Sequence, residues 1–337
     1  MTQRTLFFIH SHIDVNKKPH HVAFAEINAL ANITRNNLRR CVEHISFDRY
    51  RDFDVTSLPF DLVVFGPGEP VTEVKELATR ATELFYVLPD QSWDAAVDFG
   101  RQYTLITQLQ TLDGSDWRDE LNELLSARPG LCLNPSDITQ HHYFPMAEMP
   151  FHDHSYMEMF QSGSSRETQL LVDSMKRRVA RSGCPAAYAG SLKKDRAELM
   201  ANYAALGLCD LYGRYLPEDV LSYWTSGMGT DRNIRSAIRG WLSPFDTWRA
   251  YEAYSSAILF SEREMTRFNS DRLRLFEYAL AGATVQVVSS DHKLYKQDVA
   301  MLETRLLDDT TGKASLDKYH DSLEMSLVDR LRDVFGK

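Results

Sequence analysis

Arg274 and Glu277 stand three residues apart in the stretch NSDRLRLFEYALAGATVQVV, residues 269–288. A guanidinium offers paired N–H donors that suit a diphosphate, and a carboxylate accepts two hydrogen bonds from a ribose diol. The same two residues on one helix face also make an ordinary ion pair, worth about 0.2–0.5 kcal/mol. Local sequence leaves both readings open. A second candidate is Ala189-Gly190-Ser191-Leu192-Lys193-Lys194-Asp195-Arg196. Glycine between a strand and a helix lets backbone N–H groups approach a phosphate, and Lys193 and Arg196 add cations. The alternative is a plain strand–helix turn with surface lysines. The stretch lacks the Gly-Lys-Ser/Thr of a Walker loop and the GxGxxG of a dinucleotide site, which argues against an NTPase or a nicotinamide enzyme. Ser226-Gly227-Met228-Gly229-Thr230 reads as a flexible loop.

Asp90 directly follows an apolar run and precedes Gln91-Ser92-Trp93. A carboxylate at a strand's carboxyl end serves as a general base when partly desolvated, and as a helix N-cap otherwise. His10 and His12, after the first apolar run, are the competing bases, because imidazole titrates near neutrality. His141-His142 and His152-Asp153-His154 lack the spacing of a zinc motif, so no metal ligands are assigned.

These groups need elements to position them. Thr5–Ile9, Asp61–Phe65 and Leu84–Leu88 read as apolar strands, with helices around Val22–Ala31 and Val74–Leu84 between them and a Gly66-Pro67-Gly68 turn. That alternation predicts a parallel, doubly wound sheet, whose chemistry gathers beyond the carboxyl ends of the strands. A polar, aromatic-rich stretch from about His141 to Thr168 interrupts the pattern. It then restarts with a strand at Ala186–Ala189, a helix from Asp195 to Leu206, a strand at Leu211-Tyr212 and another at Ser255–Phe260. In 269–288, Leu273, Phe276 and Leu280 repeat at helical spacing, Asn269, Ser270 and Asp271 can cap, and Thr284–Val288 is β-branched. The expected architecture is α/β: two Rossmann-like, doubly wound domains facing a central cleft. One spans 1–180, with a helix in 316–337 (Leu323, Leu327, Leu331, Val334) packing back on it. The other spans 185–315.

The 337 residues, 43% hydrophobic and 25% charged, suit a globular chain with more than one core. No apolar run is long enough to cross a bilayer, and the N-terminus does not read as a signal peptide. Cys41, Cys132, Cys184 and Cys209 form no CxxC pair and read as reduced thiols of a cytoplasmic protein. A net charge of −9 opposes a protein coated in basic surface for nucleic acid. Local basic clusters exist nevertheless: Arg35, Arg39 and Arg40; Lys176, Arg177, Arg178 and Arg181; Lys193, Lys194 and Arg196; Arg232, Arg235 and Arg239.

Several short stretches, taken in order, resemble the phage DNA β-glucosyltransferase family of GT-B glycosyltransferases. They are Phe60-Asp61-Leu62-Val63-Val64, Tyr86-Val87-Leu88-Pro89-Asp90, Tyr143-Phe144-Pro145, Tyr188-Ala189-Gly190-Ser191 with Arg196, and Leu273-Arg274-Leu275-Phe276-Glu277. The resemblance implies an inverting enzyme that moves a sugar, glucose first among them, from a UDP-sugar to a hydroxymethylated pyrimidine in double-stranded DNA. It implies Asp90 as the base, and Gly190, Ser191, Lys193, Arg196 and Arg274 on the diphosphate. Glu277 would take the ribose hydroxyls, and backbone at Trp241-Leu242 the uracil. No metal is obligatory, with Mg²⁺ admitted on the product side, and a monomer in an infected host's cytoplasm is expected. Two departures stand out. Lys193 replaces a family arginine, and no acid occupies the glucose-holding position near Pro19-His20-His21-Val22. A GT-B enzyme with a carbohydrate or small-molecule acceptor is the alternative, with His10 or His12 as base.

Overall fold

A computed structural model of the chain describes residues 4–10, 22–38, 40–45, 59–66, 70, 72–88, 95–107, 116–127, 129–144, 149, 153, 166–190, 200–201, 203–204, 206–213, 237–240, 242, 244–261, 284–289 and 327–336. The chain divides into two compact units. Unit 1 is Met1–Met157 with Leu323–Lys337, and unit 2 is Glu158–Ser322.

Unit 1 is built on a six-stranded sheet. Its strands are β1 (Thr5–His10), β2 (Val42–Ile45), β3 (Phe60–Phe65), β4 (Leu84–Leu88), β6 (Tyr103–Thr107) and β8 (Ile138–Tyr143). They lie in the order β2-β1-β3-β4-β6-β8, and every pairing is parallel. The short strands β5 (Ala95–Val97) and β7 (Leu131–Leu133) pair separately. Every residue of β3 and β4 is buried, as strands covered on both faces require. On one face Leu6, Phe8, Val63, Phe65, Phe85, Val87 and Ile106 meet α1 (Val22–Asn37) and the C-terminal helical residues 327–335. Phe335 is the centre of that closure, with its ring 5.0 Å from Phe85 and 6.0 Å from Phe8, both edge-on. On the other face Tyr86, Phe99 and Tyr103 form a triangle of edge contacts. There α2 (Thr72–Arg80) buries Val74, Leu77 and Ala78.

A buried carboxylate ties these pieces together. Asp61 in β3 is fully buried and takes hydrogen bonds from the Arg40 guanidinium and the Glu83 N–H, the latter at 3.1 Å. Arg4 lies 3.4 Å away. Arg40 also donates to the Phe335 carbonyl at 2.7 Å and the Arg4 carbonyl at 3.0 Å. A charge in such a place is tolerable only when its lone pairs are met in this way.

Unit 2 carries a five-stranded sheet of β9 (Ala186–Ala189), β10 (Cys209–Tyr212), β11 (Ile238–Gly240), β12 (Ser256–Ser261) and β13 (Thr284–Ser289). The order is β11-β10-β9-β12-β13, again parallel throughout. Alternation along β9 and β10 divides the core. Ala186, Tyr188, Cys209 and Leu211 pack with Met200, Ala201 and Ala204. Ala187, Ala189 and Tyr212 pack with Met175, Tyr251 and Tyr254, brought by α4 (Arg166–Ser182) and α5 (Pro244–Tyr251) and the turn after it.

Two stretches differ from the sequence reading. His141–Tyr143 belong to β8 rather than to an irregular segment, because an edge strand needs only one covered flank and tolerates polar residues. The division between units falls before α4, whereas the sequence reading placed it after residue 180. The apolar stripe of α4, Leu171, Met175 and Val179, packs on the sheet of unit 2.

Candidate functional site

In a doubly wound sheet the crevice lies where successive connections leave a strand pair in opposite directions. In unit 1 the chain passes from β1 outward to β2, and from β3 the other way to β4, so the switch point is between β1 and β3. His10 and Phe65 are register partners there, at the carboxyl ends of the two strands. His10 is fully buried, with Phe65 edge-on at 5.6 Å and the His44 ring at 5.9 Å. Gly66 closes β3 at φ 130°, a backbone conformation natural to glycine. Its N–H donates to the Val87 carbonyl at 3.3 Å, and its carbonyl accepts from the Tyr86 hydroxyl at 2.7 Å.

β4, one strand further, ends at Leu88, two residues before Asp90. Asp90 and His12 lie outside the described residues. Beyond β4, Leu88 pairs with Thr107, and Thr107 with Tyr143. Here the structure assembles a group that the sequence reading missed. The Thr107 hydroxyl meets His141 Nε2 at 2.8 Å, and Trp117 of α3 (Trp117–Ala127) stacks on the His141 ring at 5.7 Å. The Arg118 guanidinium lies over the Trp117 ring at 4.4 Å. Burial, with a smaller contribution from His142, lowers the His141 pKa to about 4. His44 is also lowered to about 4, by burial first and then by the Arg35 guanidinium. Both are neutral near pH 7. Of this group the sequence marked only His141, through its histidine neighbour. Nothing local tied it to Thr107, 34 residues away.

In unit 2 the chain passes from β9 to β10 and β11 on one side and from β12 to β13 on the other, so the switch point is between β9 and β12. Gly190 stands there at the end of β9, its N–H donating to the Tyr212 carbonyl at 2.8 Å. Leu242, two residues beyond β11, is half-buried against the cluster that holds Tyr212 and Tyr251. Ser191, Lys193, Arg196, Trp241, Arg274 and Glu277 lie outside the described residues. Their places in the chain are nonetheless informative. Ser191–Arg196 follow β9, Trp241 follows β11, and Arg274 and Glu277 fall in the connection from β12 to β13. Because these strands are parallel, all three connections leave one rim of the sheet.

Among the described residues of unit 2, a dense polar group centres on Asp210. Asp210, paired with Ala187 near the start of β9, is buried. It accepts from Arg239 Nε at 2.8 Å, from the Tyr254 hydroxyl at 2.8 Å and from Arg178 at 3.2 Å. Arg178 also donates to the hydroxyls of Tyr254, at 2.6 Å, and of Tyr212. Those hydroxyls are 2.7 Å apart. Burial pushes both phenols above their ordinary range, so they remain protonated donors. The group runs from Asp210 to Tyr212, the last residue of β10, and braces β10, β11 and α4. Burial likewise raises the thiol pKa values of Cys184 and Cys209, leaving both in the unreactive thiol form. Among the described residues no three His, Cys, Asp or Glu side chains are grouped to hold a metal, and no helix is long and apolar enough to cross a membrane.

The chain matches no protein-family model and no curated protein.

Proposed function

We propose that the chain is a GT-B-type inverting glycosyltransferase that moves a sugar from a UDP-sugar, glucose being the leading donor, to the hydroxymethyl group of a modified pyrimidine in duplex DNA. The observation that carries this reading is the rim of the unit 2 sheet. The residues expected to hold the donor follow, in sequence, the carboxyl ends of β9, β11 and β12, and Gly190 stands at the switch point itself. The motif resemblance supplies the roles. Gly190 and Ser191 offer backbone N–H groups to the diphosphate, Lys193, Arg196 and Arg274 neutralise it, and Glu277 receives the ribose hydroxyls. Backbone at Trp241-Leu242 reads the uracil. In unit 1, Asp90 follows β4 and takes the proton of the acceptor hydroxyl. That oxygen then attacks the anomeric carbon from the face opposite UDP, which leaves, so the centre inverts. Reaching a base in a duplex requires flipping it out of the stack. The enzyme acts as a monomer in the cytoplasm of an infected host, with no metal needed to hold the diphosphate.

A carbohydrate acceptor is the second reading, favoured by the net charge of −9. It would make His10 or His12 the base; His10 is fully buried beneath the rim, and His12 lies outside the described residues. Transfer of labelled sugar from a panel of UDP-sugars to duplexes with hydroxymethylcytosine, hydroxymethyluracil or unmodified bases separates the two. The expected result is labelling of a hydroxymethylated duplex only, reduced by about 10²–10⁴-fold in Asp90→Asn. UDP release that needs a sugar acceptor and labels no DNA would overturn the DNA assignment.

A further inference from the structure

The cluster Lys176, Arg177, Arg178 and Arg181 looks uniform in the sequence, and α4 splits it. Arg178 turns inward to Asp210, Tyr212 and Tyr254. Lys176, Arg177 and Arg181 are exposed, and among the described residues no carboxylate pairs with any of them. The helix dipole accounts for a cation in the last turn, which here is Arg181 alone. It does not account for the other two. We propose that this face of α4 is a docking surface for the phosphodiester backbone of duplex DNA, outside the donor site, that holds the enzyme on its polymer. The proposal rests on the DNA reading above and extends it.

Three features favour that occupant. Arg177 and Arg181 are one turn apart, a rise of about 6 Å, close to two nucleotides of one strand at about 3.4 Å each. The exposed residues around them are Ser174, Ala180, Ser182 and Gly183, small enough to let a stiff backbone approach, and the one acid nearby on the helix, the half-buried Asp173, accepts a hydrogen bond from Gln169. A helix that lies on a membrane surface needs bulky apolar side chains beside its cations. The one such exposed residue on α4, Leu170, stands about two turns away. The surface is also distinct from the donor rim. α4 leads through Gly183–Pro185 into the start of β9, whereas Gly190 follows its end.

The test is the salt dependence of equilibrium binding to a hydroxymethylated duplex, for the full chain and for K176A/R177A/R181A. UDP affinity and the unfolding midpoint monitor the fold of the variant. Because each phosphate contact contributes about 0.9 to the slope of log K against log salt, the variant's slope should fall by about 2–3. A second variant, S174E/A180E, places acids on the same face and should weaken binding at low salt. Unchanged slope and affinity in both variants would overturn the surface, as would capture of phosphatidylserine vesicles, in place of duplex, through the same side chains. A chain that glycosylates the duplex with an unaltered slope keeps the proposed function and loses the docking surface. A chain that binds DNA through this face and transfers nothing to it keeps the surface and loses the acceptor.

Discussion

One guanidinium, that of Arg40, donates both to the carboxylate of Asp61 in β3 and to the backbone carbonyl of Phe335 in the C-terminal helix. A side chain between α1 and β2 thereby joins a central strand to residues 295 positions away. Arg40→Ala leaves Asp61 buried with the Glu83 N–H and, as its one remaining cation among the described residues, the partly exposed Arg4. The expected loss is about 3 kcal/mol, the low end for breaking a buried pair, because Arg4 remains. Urea denaturation of unit 1 fluorescence measures it, and a loss under about 1 kcal/mol would show that the bridge carries no weight.

Acid should weaken the fold before carboxylates protonate in bulk. His44 and His141 are held at about 4 in the folded chain against an ordinary 6.5. Between those values the unfolded chain binds more protons than the folded one, so stability rises with pH across the window and is lost as pH falls through it. At full effect each contributes on the order of 3 kcal/mol. Denaturation midpoints at pH 7, 6 and 5 should fall in that order, and His44→Gln with His141→Gln should flatten the trend. A wild-type profile that is level from pH 7 to 5 contradicts it.

Asp210 and Tyr254 should differ in cost though they share a bond. Tyr254→Phe removes a hydroxyl from a network that keeps its carboxylate between two guanidiniums, and should cost about 1–2 kcal/mol. Asp210→Ala leaves Arg178 and Arg239 without their carboxylate. Discounting for the partial exposure of both arginines, the loss is about 2–4 kcal/mol. Equal costs in thermal unfolding would mean that the carboxylate does no more for the two guanidiniums than a neutral hydroxyl does.

For Arg274 and Glu277, stability and ligand affinity separate the two readings left open by the sequence. If they form a nucleotide clamp, Arg274→Ala and Glu277→Ala each weaken UDP binding by roughly 10–100-fold, the worth of a charged hydrogen bond. Unfolding then changes by no more than about 0.5 kcal/mol. Calorimetric titration with UDP decides it: unaltered affinity in both variants returns the pair to an intrahelical bridge.

What the sequence made legible follows from where each element finds its partners. β4, and β3 apart from Asp61, are apolar runs because both faces are covered, so FDLVVF and LFYVL declare themselves. β8 reads ITQHHY, and its strand state comes from pairing with β6, which no local pattern records. Asp61 is visible as an acid inside a strand, but its partners Arg40 and Arg4 are distant in sequence. Arg178 looks like its neighbours until the helix turns it onto Asp210. At the rims, order of elements sufficed to foresee His10 and Gly190, since parallel strands put every carboxyl end on one side.

The division of the chain has a consequence for its birth. Unit 2 is continuous, 158–322, whereas unit 1 takes its last helix from beyond residue 322. As the nascent chain leaves the ribosome, the first strands of unit 1 emerge before all of unit 2, yet the face that Phe335 seals stays open until residues 327–335 have followed. Unit 2 can therefore close first, although its residues are made later than most of unit 1. During that interval an apolar face of Leu6, Phe8, Phe85 and Val87 is a ready binding patch for chaperones, and a chain that stops short of residue 327 leaves that face of unit 1 uncovered although unit 2 is whole.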